Sequence, residues 1–306
     1  MRDEPSKDRS AELRNLTGVP EEPLAESAPL AWVEAPRRCH VDPETGETCV
    51  DYHRVWQYMR LLGLFTATAA NSEFLSATFR QYAQTGHYTR TLVSASADYS
   101  MLAHLKCAYA GTSLDATVLD RCQTSLFLNR WYASRYPLSL TTVCASVLDY
   151  EPQHPFDLVC THNFLGLHDG VQRQRVVARW HSFLRQGGVV VTTQRVRPTS
   201  SEEQFNHFTP EEARWLRERA AAAARAHAGG IDVDADQVAA AVYAYAIRRR
   251  TYTIHTPREI TALFENAGFD IEMVDEGGGP AERARDFPAN RVAPDSYRMR
   301  IVARRR

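Results

Sequence analysis

An acidic residue ends one of the short apolar runs of this sequence at a position that suits a nucleotide. Asp120 closes the run "ATVLD", about 24 residues after Ser96 in the turn behind an earlier apolar run, "TRTLVSAS". A carboxylate at that distance can accept both hydroxyl hydrogens of a ribose. Acids also end strands that bind nothing, so Asp120 by itself predicts only a candidate ribose site.

The turn before it, "SASADYS" from Ser94 to Ser100, contains no glycine. In nucleotide-binding α/β proteins this turn is usually glycine-rich, because the ligand lies against the backbone. Serine and aspartate are small and can hydrogen-bond within a turn, so the segment remains sterically feasible. Ser96 still adds a Cβ where a ligand would approach, which lowers the expected affinity.

Two pairs of residues that are candidates for a catalytic site lie at and after the end of a later apolar run, "FDLVCTHNF". His162 and Asn163 end that run, and His168 with Asp169 lie one short segment beyond. A histidine in reach of a reacting hydroxyl can serve as its general base. A histidine at a strand end can equally cap the strand or pack in a loop, and both interpretations stay open.

A segment rich in cysteine and histidine lies further towards the N-terminus, in "RRCHVDPETGETCVDYH". Its Cys39, His40, Cys49 and His53 could in principle supply four zinc ligands. Their spacing fits no common zinc finger, and "DPETGE" is typical of a surface turn. We therefore expect a plain loop and no metal. The other cysteines lie in apolar stretches, which predicts small buried side chains at Cys107, Cys122, Cys144 and Cys160.

The elements that would position these residues alternate between strand and helix. Five β-like runs between residues 89 and 196 are separated by helical segments, a spacing typical of right-handed βαβ units and a parallel sheet. Two further strands follow in "FDIEMVDEG" and "SYRMRIVARR". Capping boxes predict helix starts at Thr209 with Glu212 and at Thr256 with Glu259.

In this order, the pieces resemble the core of class I S-adenosylmethionine-dependent methyltransferases. "TLVSASADYS" stands at the family's first motif, "VLDRC" at its second and "CASVLDY" at its adenine-contacting segment. "FDLVCTHNFLGL" resembles its fourth motif, and "HSFLRQGGVVVTT" its "LKPGG" turn and fifth strand. The resemblance covers about 170 residues and implies a Rossmann-like, doubly wound, mostly parallel sheet of seven strands whose last strand is antiparallel.

The resemblance also implies S-adenosyl-L-methionine as cofactor, with Asp120 as the ribose acid, and places His162 and Asn163 where the methyl group is transferred. The positions that it assigns to cofactor contact are Ser94, Ala95, Ser96, Asp98, Tyr99, Asp120, Arg121, Ser146, Val147, Leu148 and Thr161. This sequence departs from the family at Ser94, which replaces an acid, at Ser96, Asp98 and Ser100, which replace glycines, and at Ser146, which replaces a second acid.

The same pattern divides the chain into four parts. We expect a flexible, polar N-terminal arm over 1–38, an N-terminal helical cap over 39–88, the cofactor-binding core over 89–200 and 253–306, and a helical lid inserted over 201–252. Aromatic residues of the cap and the lid, Trp56, Phe205, Tyr243 and Tyr245, suit an aromatic small-molecule acceptor, although each is equally suited to a core.

The composition of the chain argues against two classes of partner, nucleic acids and membranes. A formal net charge of −1 does not indicate a nucleic-acid-binding surface, and no apolar run approaches the length of a membrane helix. We expect a cytoplasmic methyltransferase for O- or N-methylation of a small acceptor, with a homodimer left open. Two alternatives also remain: an enzyme of the same fold with chemistry other than methyl transfer, and a non-catalytic binding subunit with a decayed site.

Overall fold

The structure is a computed structural model that describes residues 23–41, 46–198, 204–227, 229–276 and 296–306. The strands in these ranges are β1 (Arg90–Ser94), β2 (Asp115–Asp120), β3 (Ser139–Cys144), β4 (Phe156–His162), β5 (Leu184–Val196), β6 (Phe205–His207), β7 (Arg250–Tyr252), β8 (Phe269–Asp275) and β9 (Tyr297–Arg305). The α-helices are α1 (Leu24–Arg38), α2 (Val50–Leu61), α3 (Ser72–Gln84), α4 (Ser100–Ala108), α5 (Gln123–Ala133), α6 (Gly170–Phe183), α7 (Pro210–Ala226), α8 (Ala235–Arg248) and α9 (Pro257–Asn266).

One seven-stranded sheet has the order β3-β2-β1-β4-β5-β9-β8. Strands β1 to β5 pair in parallel, whereas β9 runs antiparallel to both of its neighbours. The predicted seven-stranded, mostly parallel sheet with an antiparallel last strand is confirmed. The direction of strand order reverses between β1 and β4, so the carboxyl ends of these strands border the crevice where open α/β sheets bind ligands.

The sheet buries both of its faces. Along β4, Leu158 and Cys160 pack on one side, while Val159 packs on the other. Helices α3 and α4 cover the first side, and α6 and α9 cover the second, where Trp180 stacks on Phe264. Because both faces are covered, the central strands are almost wholly apolar, as in other parallel sheets.

Local signals set several helix ends. Thr209 with Glu212 and Thr256 with Glu259 form the predicted capping boxes of α7 and α9, and Asp234 caps α8. Helix α6 ends at Phe183, and "LRQGG" already belongs to β5. A Cβ at Gly188 would lie 2.9 Å from a backbone oxygen, so β5 needs glycine at this position for close packing. None of the described helices is long and apolar enough to cross a membrane.

The expected flexible arm is wrong for residues 24–38, which form α1, while residues 1–22 lie outside the described part. A strip of small side chains, Ser27, Ala28, Ala31 and Ala35, is fully buried on one face of α1. The polar composition that predicted an arm belongs to the opposite, exposed face. Small residues hide this burial from a hydropathy reading, because they contribute little apolar area.

The insertion is only partly helical. Helices α7 and α8 lie between two short strands, β6 and β7, that pair with each other. Helix α7 buries an apolar stripe: Leu216 is fully buried and joins Val242 of α8 against Val55 and Met59 of α2. The insertion therefore shares a hydrophobic cluster with the N-terminal helices.

Candidate functional site

The glycine-free turn after β1 is held by a buried carboxylate. Asp98 accepts hydrogen bonds through Oδ2 from Trp56 Nε1 (3.0 Å), Gln57 Nε2 (2.6 Å) and Arg60 (2.7 Å), and through Oδ1 from the N–H of Ser100 (2.8 Å). Burial by itself would raise the pKa of Asp98, but Arg60 and the Ser100 N–H outweigh burial and lower it. The side chain predicted to contact cofactor thus fastens the turn to α2.

The rest of the turn is also tied inwards. The Ser94 hydroxyl accepts from the indole N–H of Trp180 at 2.9 Å, in the core. The Ser96 hydroxyl donates to the carbonyl of Asp98 within the turn. Tyr99 is fully buried, stacks on Tyr132 with centroids 4.7 Å apart, and exchanges a 2.9 Å hydrogen bond with Ser27 of α1. Serine hydroxyls and a carboxylate thereby give the turn the order that close glycine packing would otherwise supply.

Ala95 has a φ of +63°, the left-handed region that favours glycine. A non-glycine residue in that region costs roughly 1–2 kcal/mol. Glycine would remove this cost, but it also raises the conformational entropy of the unfolded chain, which offsets part of the gain. We expect Ala95→Gly to stabilise the fold by about 0.5–1 kcal/mol in urea denaturation. Ala222→Gly, in the exposed interior of α7, is the control and should destabilise by about 1 kcal/mol. A loss of stability in both variants would contradict the strain assigned to Ala95.

Asp120 lies beside this turn, at the end of β2. Its Oδ2 accepts from the Ser96 N–H at 3.0 Å, and its Oδ1 accepts from the Cys122 N–H at 2.7 Å. Burial raises the pKa of Asp120 to about 6, opposed by the charge of His53 and by those two N–H groups. Each carboxylate oxygen has a second lone pair, so both can still accept a hydroxyl hydrogen.

The remaining predicted cofactor residues follow the ends of β2, β3 and β4. Arg121 is exposed, Ser146 and Leu148 are half-buried, and Val147 is buried in the core. The Ser146 hydroxyl accepts from the N–H of Leu148 at 3.2 Å. Thr161 is fully buried, and its hydroxyl has no hydrogen-bond partner among the described residues.

His162 and Asn163 stand at the end of β4, as predicted. His162 Nδ1 lies 2.7 Å from the hydroxyl of Thr193 on the adjacent strand. Burial lowers the pKa of His162 well below its ordinary value, and the nearby charges of Arg298, His104 and Arg60 lower it further. Asn163 adopts a φ of +53° and accepts the N–H of Arg195 at 3.0 Å. His162 is thus a neutral, oriented imidazole.

Four aromatic side chains connect the cap to the insertion, and we call them the aromatic wall: Tyr52, Trp56, Phe65 and Tyr245. Successive ring centroids are 5.2–6.4 Å apart. Burial raises the pKa of Tyr52, and the negative charges of Asp98 and Asp120 raise it further. Trp56 of the wall also donates from Nε1 to Asp98 at 3.0 Å, so the wall contacts the turn after β1. Trp56 and Tyr245 are two of the four aromatic residues that the sequence suggested for an acceptor. Of the other two, Tyr243 packs against the same hydrophobic cluster and Phe205 packs on Tyr252.

The cysteine-rich segment is not the loop that the sequence predicted. Cys39 follows the last turn of α1, Cys49 precedes α2 and His53 lies in its first turn. All three meet Cys122, which the sequence had placed among the small buried hydrophobes. His40 is exposed and lies outside this group, and residues 42–45 lie outside the described part. Cys107 and Cys144, expected to be buried, are exposed, whereas Cys160 is buried.

No protein-family model matches the sequence, and no curated protein is significantly similar to it. Solved structures do resemble its fold. The apo S-adenosylmethionine-dependent methyltransferase SibL is 15% identical over 92% of this chain and 71% of its own, with a TM-score of 0.47. The N-methyltransferase NodS from Bradyrhizobium japonicum, solved with S-adenosyl-L-homocysteine, is 12% identical over 93% of this chain and 99% of its own, with a TM-score of 0.43.

A third solved structure, the [4+2]-cyclase SpnF, is 13% identical over 76% of this chain and 80% of its own, with a TM-score of 0.48. The chain's own sheet carries the assignment of the fold. Its strand order, its parallel strands β1 to β5 and its antiparallel last strand give this protein the Rossmann-like fold of the class I S-adenosylmethionine-dependent methyltransferases.

Proposed function

We propose that this protein is an S-adenosylmethionine-dependent methyltransferase that acts on an oxygen or nitrogen of a small molecule. The observation that carries the proposal is the position of Asp120. Its carboxylate stands at the end of β2, 3.0 Å from the backbone N–H of Ser96, beside the crevice between β1 and β4. A carboxylate with free lone pairs at this edge suits the two hydroxyls of a ribose.

Other groups around the crevice fit the same cofactor. The buried hydroxyl of Thr161 lacks a partner among the described residues and can bond a polar group of a ligand. The Ser96 hydroxyl donates to a carbonyl within its own turn, so the serine that replaces a glycine leaves no unsatisfied donor in the crevice. When bound, S-adenosylmethionine would supply an electrophilic methyl group on a sulfonium.

The aromatic wall supports a small, aromatic acceptor. Its rings belong to α2, to the segment that follows α2 and to α8, and Trp56 among them donates a hydrogen bond to Asp98. Apolar and aromatic side chains with few polar groups are the usual lining of small-molecule sites. His162 would orient the acceptor and take its proton as the methyl group arrives, while the insertion excludes water.

Calorimetric titration with S-adenosyl-L-homocysteine tests cofactor binding directly. We expect a dissociation constant near the micromolar range, which corresponds to roughly −8 kcal/mol. Absence of heat and of any thermal shift at millimolar ligand would defeat the proposal. Binding without methyl transfer to any of a panel of phenols and aromatic amines would instead favour an enzyme of this fold with different chemistry.

The Asp120→Ala variant tests the ribose assignment. Loss of a charge-assisted hydrogen-bond acceptor should weaken S-adenosyl-L-homocysteine binding by about 1.5–3 kcal/mol. Asp115→Ala is the matched control, since Asp115 is exposed at the opposite end of the same strand. Equal affinity of a folded Asp120→Ala variant and the control would mean that another group holds the ribose.

A further inference from the structure

Three cysteines and one histidine converge where the N-terminal helices meet the core. The thiol sulfurs of Cys39, Cys49 and Cys122 and the Nδ1 of His53 all lie within 4.8 Å of one another. They come from three elements: the end of α1, the start of α2 and the residue that precedes α5. Residues 83 positions apart in the chain thus form one compact group.

The spacing of these atoms matches a tetrahedral metal shell. Bonds of about 2.3 Å to sulfur and 2.0–2.1 Å to nitrogen would place two sulfurs about 3.8 Å apart and a sulfur and a nitrogen about 3.6 Å apart. The structure has Cys122 Sγ at 3.5 Å from Cys39 Sγ and at 3.6 Å from Cys49 Sγ. The Nδ1 of His53 lies 3.5 Å from Cys39 Sγ and 3.3 Å from Cys122 Sγ.

The positions of the four residues in the chain bring their side chains to one face of α2. Cys49 and His53 are four residues apart at the start of α2, so both side chains lie on one helix face. Cys39 and Cys122 approach that face from α1 and α5. His53 and Cys122 are buried, and Cys39 and Cys49 are partly exposed, which leaves a path by which an ion can enter.

We propose that these four residues bind one structural zinc ion. Three thiolates and an imidazole are a donor set typical of Zn²⁺, and four protein ligands leave no open position for catalysis. The ion would fasten the N-terminal helices to the core at Cys122. Because the Cys122 N–H donates to Asp120, the same ion would hold the end of β2 in place. This inference does not rest on methyl transfer.

The metal content of the protein, purified without a polyhistidine tag from zinc-supplemented cells, is the first test. Mass spectrometry of the elements should find about one zinc per chain, as a filled four-ligand site requires. Protein from cells grown with cobalt should show intense visible bands and a thiolate charge-transfer band of tetrahedral Co²⁺. Both measurements use the unaltered chain, so neither depends on whether a variant folds.

Single replacements then assign the ligands. Cys39→Ser, Cys49→Ser and Cys122→Ser should each lose most of the zinc and lower the melting temperature. Cys107→Ser is the control, because Cys107 is exposed on α4 and outside the group, and it should keep both. Zinc-free wild-type protein with no cobalt spectrum, or a disulfide between Cys39 and Cys122 in protein purified without oxidant, would overturn the proposal. Full zinc in all three ligand variants would overturn it as well.

Discussion

Replacing Asp98 by alanine should destabilise the protein by about 3–5 kcal/mol, the usual effect of removing one partner from a buried ion pair. The side chains of Asp98 and Arg60 are only 1% and 2% exposed, and they meet at 2.7 Å. The substitution withdraws the acceptor of Arg60, Gln57 and Trp56 together, and so releases α2 from the turn after β1.

The same substitution should weaken cofactor binding, because Ser96, which contacts Asp120, lies in that turn. The stability that the Asp98 carboxylate contributes in the wild-type protein depends on pH in a defined direction. The pKa of Asp98 is lowered in the fold, so its contribution is present above the ordinary pKa of aspartate, about 3.9, and is lost as pH falls through the folded pKa. Urea denaturation at neutral and acidic pH measures this dependence, and titration with S-adenosyl-L-homocysteine measures the loss of cofactor binding.

A matched surface pair provides the control for Asp98. Glu151 is 80% exposed and pairs with Arg179 at 2.8 Å, so Glu151→Ala should change stability by less than about 1 kcal/mol. A double-mutant cycle with Arg60→Ala and Asp98→Ala isolates the coupling between the two buried charges. An Asp98→Ala protein that unfolds at the wild-type urea concentration would show that the ion pair does not hold the turn.

Much of the core was predictable because its signals are local. Alternating strands and helices, the Asp at the end of β2 and the capping boxes at Thr209 and Thr256 depend on neighbouring residues in the chain. The polar contacts of the turn were not predictable in this way. Asp98 is 38 residues from Arg60, and Tyr99 is 72 residues from Ser27, so only the packed fold shows these pairs.

The group of cysteines shows the same limit. The spacing of Cys39, Cys49 and His53 matches no local zinc motif, and the fourth member, Cys122, lies in a different part of the chain. The predictive signal was the Cys49–His53 pair, four residues apart at a helix start. It became informative only when α1, α2 and α5 were seen to meet.

The hydrophobic cluster shared by α2, α7 and α8 gives the insertion a structural role. Removing the insertion would expose Val55 and Met59 of α2, and α2 carries the residues that hold Asp98. Deletion of the insertion would therefore disturb the turn after β1 as well, and point substitutions in the aromatic wall separate acceptor binding from the stability of that turn better. Phe65→Ala, for example, should weaken binding of the acceptor and leave S-adenosyl-L-homocysteine binding intact.

Loss of the imidazole at the end of β4 should have the largest effect on turnover. We expect His162→Ala to lower kcat roughly 10²-fold or more without changing the affinity for S-adenosyl-L-homocysteine, as for a general base that acts only on the acceptor. Formation of S-adenosyl-L-homocysteine with phenol and aromatic amine acceptors measures the rate. His181→Ala, on the distant end of α6 beside Phe269, is the control and should keep native turnover.

The pH profile distinguishes a base from a packing residue. A base must be deprotonated, and burial together with Arg298, His104 and Arg60 lowers the pKa of His162. The wild-type rate should therefore persist as pH falls through the ordinary histidine value of about 6.5, and decline only below it. Thr193→Val removes the hydroxyl that lies 2.7 Å from Nδ1, and should lower kcat by freeing the ring to rotate. Native turnover in a folded His162→Ala protein would leave His162 a packing residue and move the search for the base to His168.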